Sequence, residues 1–138
     1  MGMSKEAKLK IVVVEPLKKP YVKEIENTLD SQREVVGGNM EMLPFDVPDA
    51  PLGICIICNE NGKLENLPYN RAYYYDEYGK PSDILSGTFF VCSVNGEDFA
   101  SLSEEQEKAV LKRFEYVEQF IEDKDCPALL TMRRFKLD

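Results

Sequence analysis

Histidine is absent from the 138 residues, and so is tryptophan. Without histidine the chain can build no serine-histidine triad and none of the common zinc sites that use imidazole. It also has no side chain whose ordinary pKa lies near neutrality. Bases are scarce too: 17 against 25 acids, a net charge of -8 that repels phosphate backbones and anionic membrane surfaces. Free nucleic acid and membranes are therefore not expected as partners. No apolar run approaches the roughly 20 residues of a spanning helix, and the amino-terminal residues carry no apolar signal core, so the expected compartment is the cytoplasm. Four cysteines in a chain of this length fit a reducing compartment as mostly buried small apolar groups rather than a disulfide framework.

Hydrophobic residues at 43% and charged ones at 30% are those of an ordinary globule. The length suits one domain, 9–138, after a short flexible start, 1–8. Ile11-Val12-Val13-Val14 reads as a strand covered on both faces. After Pro16 and Pro20, the apolar positions Val22, Ile25, Leu29 and Val36 suggest a first helix over 21–36, stopped by Gly37-Gly38. Residues 39–45 alternate as a second strand, and 46–51 read as a loop. The organising stretch is 52–94, in which 53–59 is expected to pair across Asn61-Gly62 with a short strand at 63–67. Residues 70–75 read as a strand or ordered loop, 78–81 as a turn, and 82–94 as one long strand with a bulge or a close backbone approach at Gly87. Ser103 to Gln106 matches a capping box, opening a second helix whose stripe is Val110, Phe114, Val117 and Ile121. Residues 129–135 read as an edge strand or docked tail. The expected fold class is α+β: a mainly antiparallel sheet of about five strands with two amphipathic helices, in the order β-α-β-β-β-β-α.

Cys55-x-x-Cys58 invites a metal or redox reading. Residues three apart in a strand point to opposite faces, however, so the expectation is core packing, with no metal and no cofactor. The carboxylates at 104, 105, 107, 115, 118, 122, 123 and 125 are expected on the polar side of the second helix, either as a solvated face or as a nucleic-acid mimic. Glu15 and Asp83, with Arg71, would make an acid-base or ligand pocket if they met. The most site-like set is Asn59, Tyr69, Asn70, Arg71, Tyr73 and Tyr75, because asparagine and arginine supply directional hydrogen bonds and tyrosine supplies rigid contact area. On this reading Asn70 and Arg71 matter more for binding than for folding. The competing account ties Arg71 to Asp76 or Asp83 as a brace.

Val12-Val13-Val14-Glu15-Pro16, Pro20-Tyr21, the run from Cys58 to Lys63, the run from Leu67 to Ala72 and the run from Asp83 to Val91 together resemble a small domain-of-unknown-function family. That family is carried on phages, plasmids and conjugative elements of Firmicutes. The resemblance runs from about Lys10 to Phe114 and implies a context, an accessory protein of a mobile element, without catalytic residues to transfer. The expectation is a non-enzymatic module that binds another protein. An acidic nucleic-acid mimic and a small ligand-binding domain or enzyme using Glu15, Arg71 and Asp83 stand as alternatives.

Overall fold

Every residue of Ile11–Val14 is apolar and buried, which requires a strand with cover on both faces. The computed structural model of the chain describes residues 6–45, 53–75, 78, 81–126 and 130–137, the side chains at 75, 81 and 82 excepted. The elements run β1 (Lys8–Val14), β2 (Tyr21–Glu26), α1 (Leu29–Val36), β3 (Met40–Phe45), β4 (Ile54–Asn59), β5 (Tyr69–Tyr75), β6 (Pro81–Ser86), β7 (Phe89–Asn95), β8 (Asp98–Ala100), α2 (Glu104–Arg113), β9 (Tyr116–Glu122) and β10 (Leu130–Lys136). The main sheet has the order β2-β1-β7-β4-β3 with β8 hairpinned onto β7, and every pairing in it is antiparallel. β5–β6 and β9–β10 form separate two-stranded sheets.

Alternation along β1, β4 and β7 sorts the core into two layers. Val12, Val14, Ile54, Ile56, Cys58, Phe89 and Val91 face one way and pack with Val110 and Phe114 of α2 and its end. Leu9, Ile11, Val13, Cys55, Ile57, Phe90 and Cys92 face the other way and pack with Val36 of α1 and Ile25 of β2. Cys55 and Cys58 thus lie on opposite faces of the sheet, as strand geometry requires. Cys55 approaches Cys92 (Sγ–Sγ 3.7 Å), whereas Cys58 Sγ contacts the Glu41 carbonyl at 3.7 Å. Burial, with Glu41 nearby, pushes the Cys58 thiol up to about 11. The hydrogen bond shared with Cys55 and burial push Cys92 up as well, so neither Cys58 nor Cys92 is a nucleophilic thiolate near neutrality.

The α+β class holds, but ten strands in three sheets among the described residues replace one sheet of about five, and the order differs. Three local competitions explain the difference. The expected helix over 21–36 is a strand followed by a short helix. Leu17 (φ 58°) and the Lys18 N–H to Glu15 carbonyl bond fold Pro16–Pro20 into a hairpin turn, and β2 then covers the outer edge of β1 from Lys8↔Glu26 to Val13↔Tyr21. The helix begins only where Thr28 Oγ1 accepts the Ser31 N–H, and it stops at Gly37 (φ 76°), whose N–H reaches Arg33 O.

The expected long strand over 82–94 breaks at Gly87, where φ is 82°. β6 goes to one sheet and β7 to another. The expected strand at 63–67 is a turn running from Glu60 to Asn66, with Asn66 itself at φ 55°.

The second helix, whose capping box forms as expected, ends at Arg113. Val117 and Ile121 belong to β9, which pairs with β10 from Tyr116↔Lys136 to Glu122↔Leu130. The carboxylates after residue 113 are therefore not on a helix face, and Glu118 is 1% exposed. Of the remaining readings, 1–5, 46–51 and 79–80 lie outside the described residues, while Glu6 holds Ser101 through its carboxylate. No helix among the described residues is long and apolar enough to cross a membrane.

Candidate functional site

β5 sits between the main sheet and β9, and its residues divide into those that hold the fold and those that face outward. Asn70 and Arg71 hold the fold. Asn70 is fully buried, its Nδ2 donating to the carbonyls of Val14 (2.8 Å) and Gly87 (2.9 Å). Arg71 is 1% exposed, and its guanidinium donates to Asn70 Oδ1 (2.9 Å) and to the carbonyls of Lys18 (2.7 Å), Phe114 (3.2 Å) and Glu15 (3.5 Å). Burial lowers its pKa to about 10 against the pull of Glu118, so it stays charged. Arg71 is a brace, but its partners are main-chain carbonyls and the field of Glu118; Asp83 pairs elsewhere.

Beneath it, Glu118 accepts the Ala72 N–H at 2.7 Å and meets Arg134 Nε at 3.4 Å. Arg113 donates to the Ala72 and Tyr73 carbonyls and lies over the Phe114 ring at 4.8 Å. Composition gave no hint of this second shell of charge. Period-two reading of 116–120 would have found it, since Glu118 stands between Tyr116 and Phe120 on one strand face.

Burial raises the Glu118 carboxyl above the ordinary range, opposed by the Ala72 N–H and by Arg134 and Arg71. As pH rises from the ordinary carboxylate value to the folded one, the unfolded chain has lost this proton while the native state still carries it. The contribution of Glu118 to stability therefore falls through that window. Glu118→Gln keeps an acceptor for the Ala72 N–H and should remove this downward slope in urea denaturation series between about pH 4 and 8. Glu118→Leu leaves the N–H unpaired and should cost about 1–3 kcal/mol throughout. An unchanged slope in the glutamine variant would count against this assignment.

Of the other expected site residues, Asn59 is buried at the end of β4. Its Nδ2 donates to the Val36 carbonyl (3.2 Å) and its Oδ1 accepts the Asn61 N–H (2.8 Å), tying α1 to the 60–66 turn. Tyr73 stacks on Phe45 at 6.3 Å and its hydroxyl donates to the Pro44 carbonyl. The Tyr75 side chain lies outside the described residues. Glu15 lines a cavity of about 310 Å³ beside Tyr21, whose phenol is raised by burial and by the Glu15 carboxylate. Glu15, Arg71 and Asp83 do not converge: Glu15 and Asp83 line different cavities, and Arg71 reaches Glu15 only at its carbonyl.

Tyr69 and Asp83 do come together, in a cleft between the 60–66 turn and the β5–β6 hairpin. One part, about 520 Å³, is walled by Lys63, Asn66, Tyr69, Asp83, Ser86 and Glu122. An adjoining part of about 240 Å³ shares Lys63, Asp83, Ile84 and Ser86, and adds Glu41, Asn59 and Glu60. Lys63 Nζ crosses the mouth to Asp83 Oδ1 at 2.9 Å, and Asp83 also accepts the Ile84 N–H at 2.8 Å. Tyr69 is held edge-on by Phe120, centroids 5.8 Å apart at 70°. Gly62 closes the wall so tightly that a Cβ there would lie 2.7 Å from the Ser86 carbonyl oxygen. Lys63 and Ser86 were not among the expected site residues, because 63–67 was read as a strand and 82–94 as one unbroken strand, while Glu122 was expected on a helix face and lies on β9.

The model of a domain of unknown function, DUF3846, matches residues 9–115. The chain belongs to the DUF3846 family. The match agrees with the span of about 10–114 carried by the sequence motifs, and it places the cleft walls at 59–86 inside the DUF3846 segment. Glu122, and the β9 strand that buries Glu118 against β5, lie beyond it. No curated protein and no solved structure matches this DUF3846 chain.

Proposed function

We propose that this DUF3846 protein is a non-enzymatic interaction module, accessory to a mobile genetic element, that docks another protein in the cleft between the 60–66 turn and β5–β6. The observation that carries the reading is Tyr69 fixed against Phe120 beside the Lys63–Asp83 pair in an open cavity of about 520 Å³. A rigid aromatic next to polar groups in a hollow is the composition of an interface hot spot. The buried groups with shifted pKa values support the same reading. Arg71, Arg113 and Glu118 are engaged in hydrogen bonds and ion pairs that hold β5 in place. The mobile-element context follows from the family resemblance in the sequence motifs. With a net charge of -8, the expected partner is a protein, not free nucleic acid.

Pull-down from a native host with wild type, Tyr69→Ala and Asp83→Lys tests this reading. Asp83→Lys should melt close to wild type, since Asp83 is partly exposed and its ion pair is a surface one. Tyr69→Ala also loses its contact with Phe120, so its capture is compared at a temperature where both proteins are folded. Both should lose most of the captured partner. Capture that survives both substitutions would refute the reading.

A further inference from the structure

β10 lies beyond the family segment, and one of its edges is open. Among the described residues it pairs with β9 alone, and no main-chain hydrogen bond reaches its other side. In an antiparallel ribbon every second residue turns its N–H and C=O away from the partner strand, so the outer side of Leu130–Lys136 presents a row of unpaired donors and acceptors. Exposure agrees, since every residue of β10 except the half-buried Met132 is exposed. Such a row fits one class of ligand, an extended peptide that adds a strand. The margins of the main sheet differ in charge and chain: β2 mixes Lys23 with Glu24 and Glu26, and β3 carries Glu41 and Pro44. β10 holds Arg133, Arg134 and Lys136, no carboxylate and no proline, on a chain whose net charge is -8.

We infer that the outer edge of β10 receives an acidic, extended segment of a partner protein, which pairs with it as a further strand. This edge is separate from the cleft of the docking reading, in whose walls neither Arg133 nor Lys136 takes part. Side chains alternate along β10, so Arg133 lies on one face of the ribbon with Thr131 and Phe135, and Arg134 and Lys136 lie on the other with Met132. An added strand therefore meets cations on both faces, and a carboxylate opposite or diagonal to one gains a cross-strand pair. Arg133 has no ion pair among the described residues, and Lys136 meets Glu115 only at 3.8 Å on an open surface. Arg134 is committed to Glu118 and to the Tyr116 ring, and steadies the strand. The acidity of the rest of the chain does not cancel this local charge, because salt screens charges farther away than about 8 Å under physiological conditions. A second copy of the chain does not fit, since two β10 edges brought together antiparallel about a two-fold axis set cation beside cation. A phosphate backbone does not fit either, since it has no N–H to give the outward carbonyls.

The test is an amide-resolved NMR titration of the full chain at physiological salt with the peptide acetyl-Thr-Glu-Val-Glu-Val-Glu-Thr-amide. Its counterpart with lysine for each glutamate, a form N-methylated at the three central residues and a short duplex DNA serve as controls. The acidic peptide should give saturable shifts in the amides of 130–136 and slow their hydrogen exchange. The lysine peptide and the N-methylated peptide should each bind at least tenfold more weakly, the first for want of charge and the second for want of main-chain donors. Arg133→Glu and Lys136→Glu should each weaken the acidic peptide several-fold while melting close to wild type, because both side chains are exposed. Equal binding of the N-methylated form would reduce the edge to a patch of charge and overturn the proposal. So would the absence of a saturable shift, shifts confined to Tyr69, Asp83 and Ser86 of the cleft, tighter binding of the duplex than of the peptide, or dimerisation of the chain through the β10 amides. The docking reading is judged separately, by whether partner capture depends on Tyr69 and Asp83.

Discussion

Arg71→Ala is expected to lower the stability of the protein by about 3–5 kcal/mol in urea denaturation, with native-like spectra retained by whatever fraction remains folded. The guanidinium is the shared donor for three carbonyls from two separate segments, at Glu15 and Lys18 after β1 and at Phe114 after α2, and it also fixes Asn70. Alanine would leave the Phe114 carbonyl and Asn70 Oδ1 without this donor in a buried space, at about 1–3 kcal/mol for each one unpaired, and would untie the part-buried Glu15 and Lys18 carbonyls. It would also remove the positive charge that favours the buried Glu118 carboxylate. Arg71→Lys should recover little, because an ammonium cannot span carbonyls arranged for a planar fork. Any loss of partner capture in these variants should follow the unfolded fraction. A fall of less than about 1 kcal/mol would show that the brace is dispensable.

A chain cut after Glu115, where the family segment ends, is expected not to fold cooperatively. β9 supplies Val117, which is fully buried, the Glu118 acceptor for the Ala72 N–H, and Phe120 against Tyr69. Exposing a valine forfeits about 1.5–3 kcal/mol, and an unpaired buried N–H costs about 1–3 more. Stripping β9 also opens the Phe114 cluster, where the rings of Phe45 and Phe89 stand 5.5 and 5.2 Å away. Against a total stability of about 5–15 kcal/mol, losses on this scale leave little. Dispersed amide spectra and a single cooperative urea transition for the 1–115 fragment would contradict the expectation.

The strands whose burial is dictated by their own residues were legible. β1, β3 and β4 fall within a residue or two of the expected positions, because Ile-Val-Val-Val and Ile-Cys-Ile-Ile-Cys have no amphipathic alternative. The caps were legible for the same local reason: Ser103 with Gln106, and Gly37. Where a helical stripe and a strand alternation both fit, tertiary partners decided. Tyr21–Glu26 became a strand because β1 had an open edge, and Tyr116–Glu122 because β10 was there to pair with it. The Asn-Arg-tyrosine segment was rightly singled out as unusual, but sequence gives no depth. Asn70 and Arg71 point inward, Tyr69 lines the cleft, and the cleft's Lys63 and Ser86 meet only through a turn and a strand break.

The central pairing of the main sheet joins β1 to β7, with Val14 opposite Phe89, about 75 positions later in the chain. On a ribosome adding about 5–20 residues per second, that partner emerges roughly 4–15 s after β1 does. Through that interval β1 has only its hairpin with β2, and neither helix that will cover its apolar faces can dock on a finished sheet. The all-apolar run Ile11–Val14 is thus made well before it is sheltered. During synthesis the open edge of β1 is exposed until Phe89–Val91 have left the exit tunnel, the kind of strand edge that pairs with other chains when left uncovered.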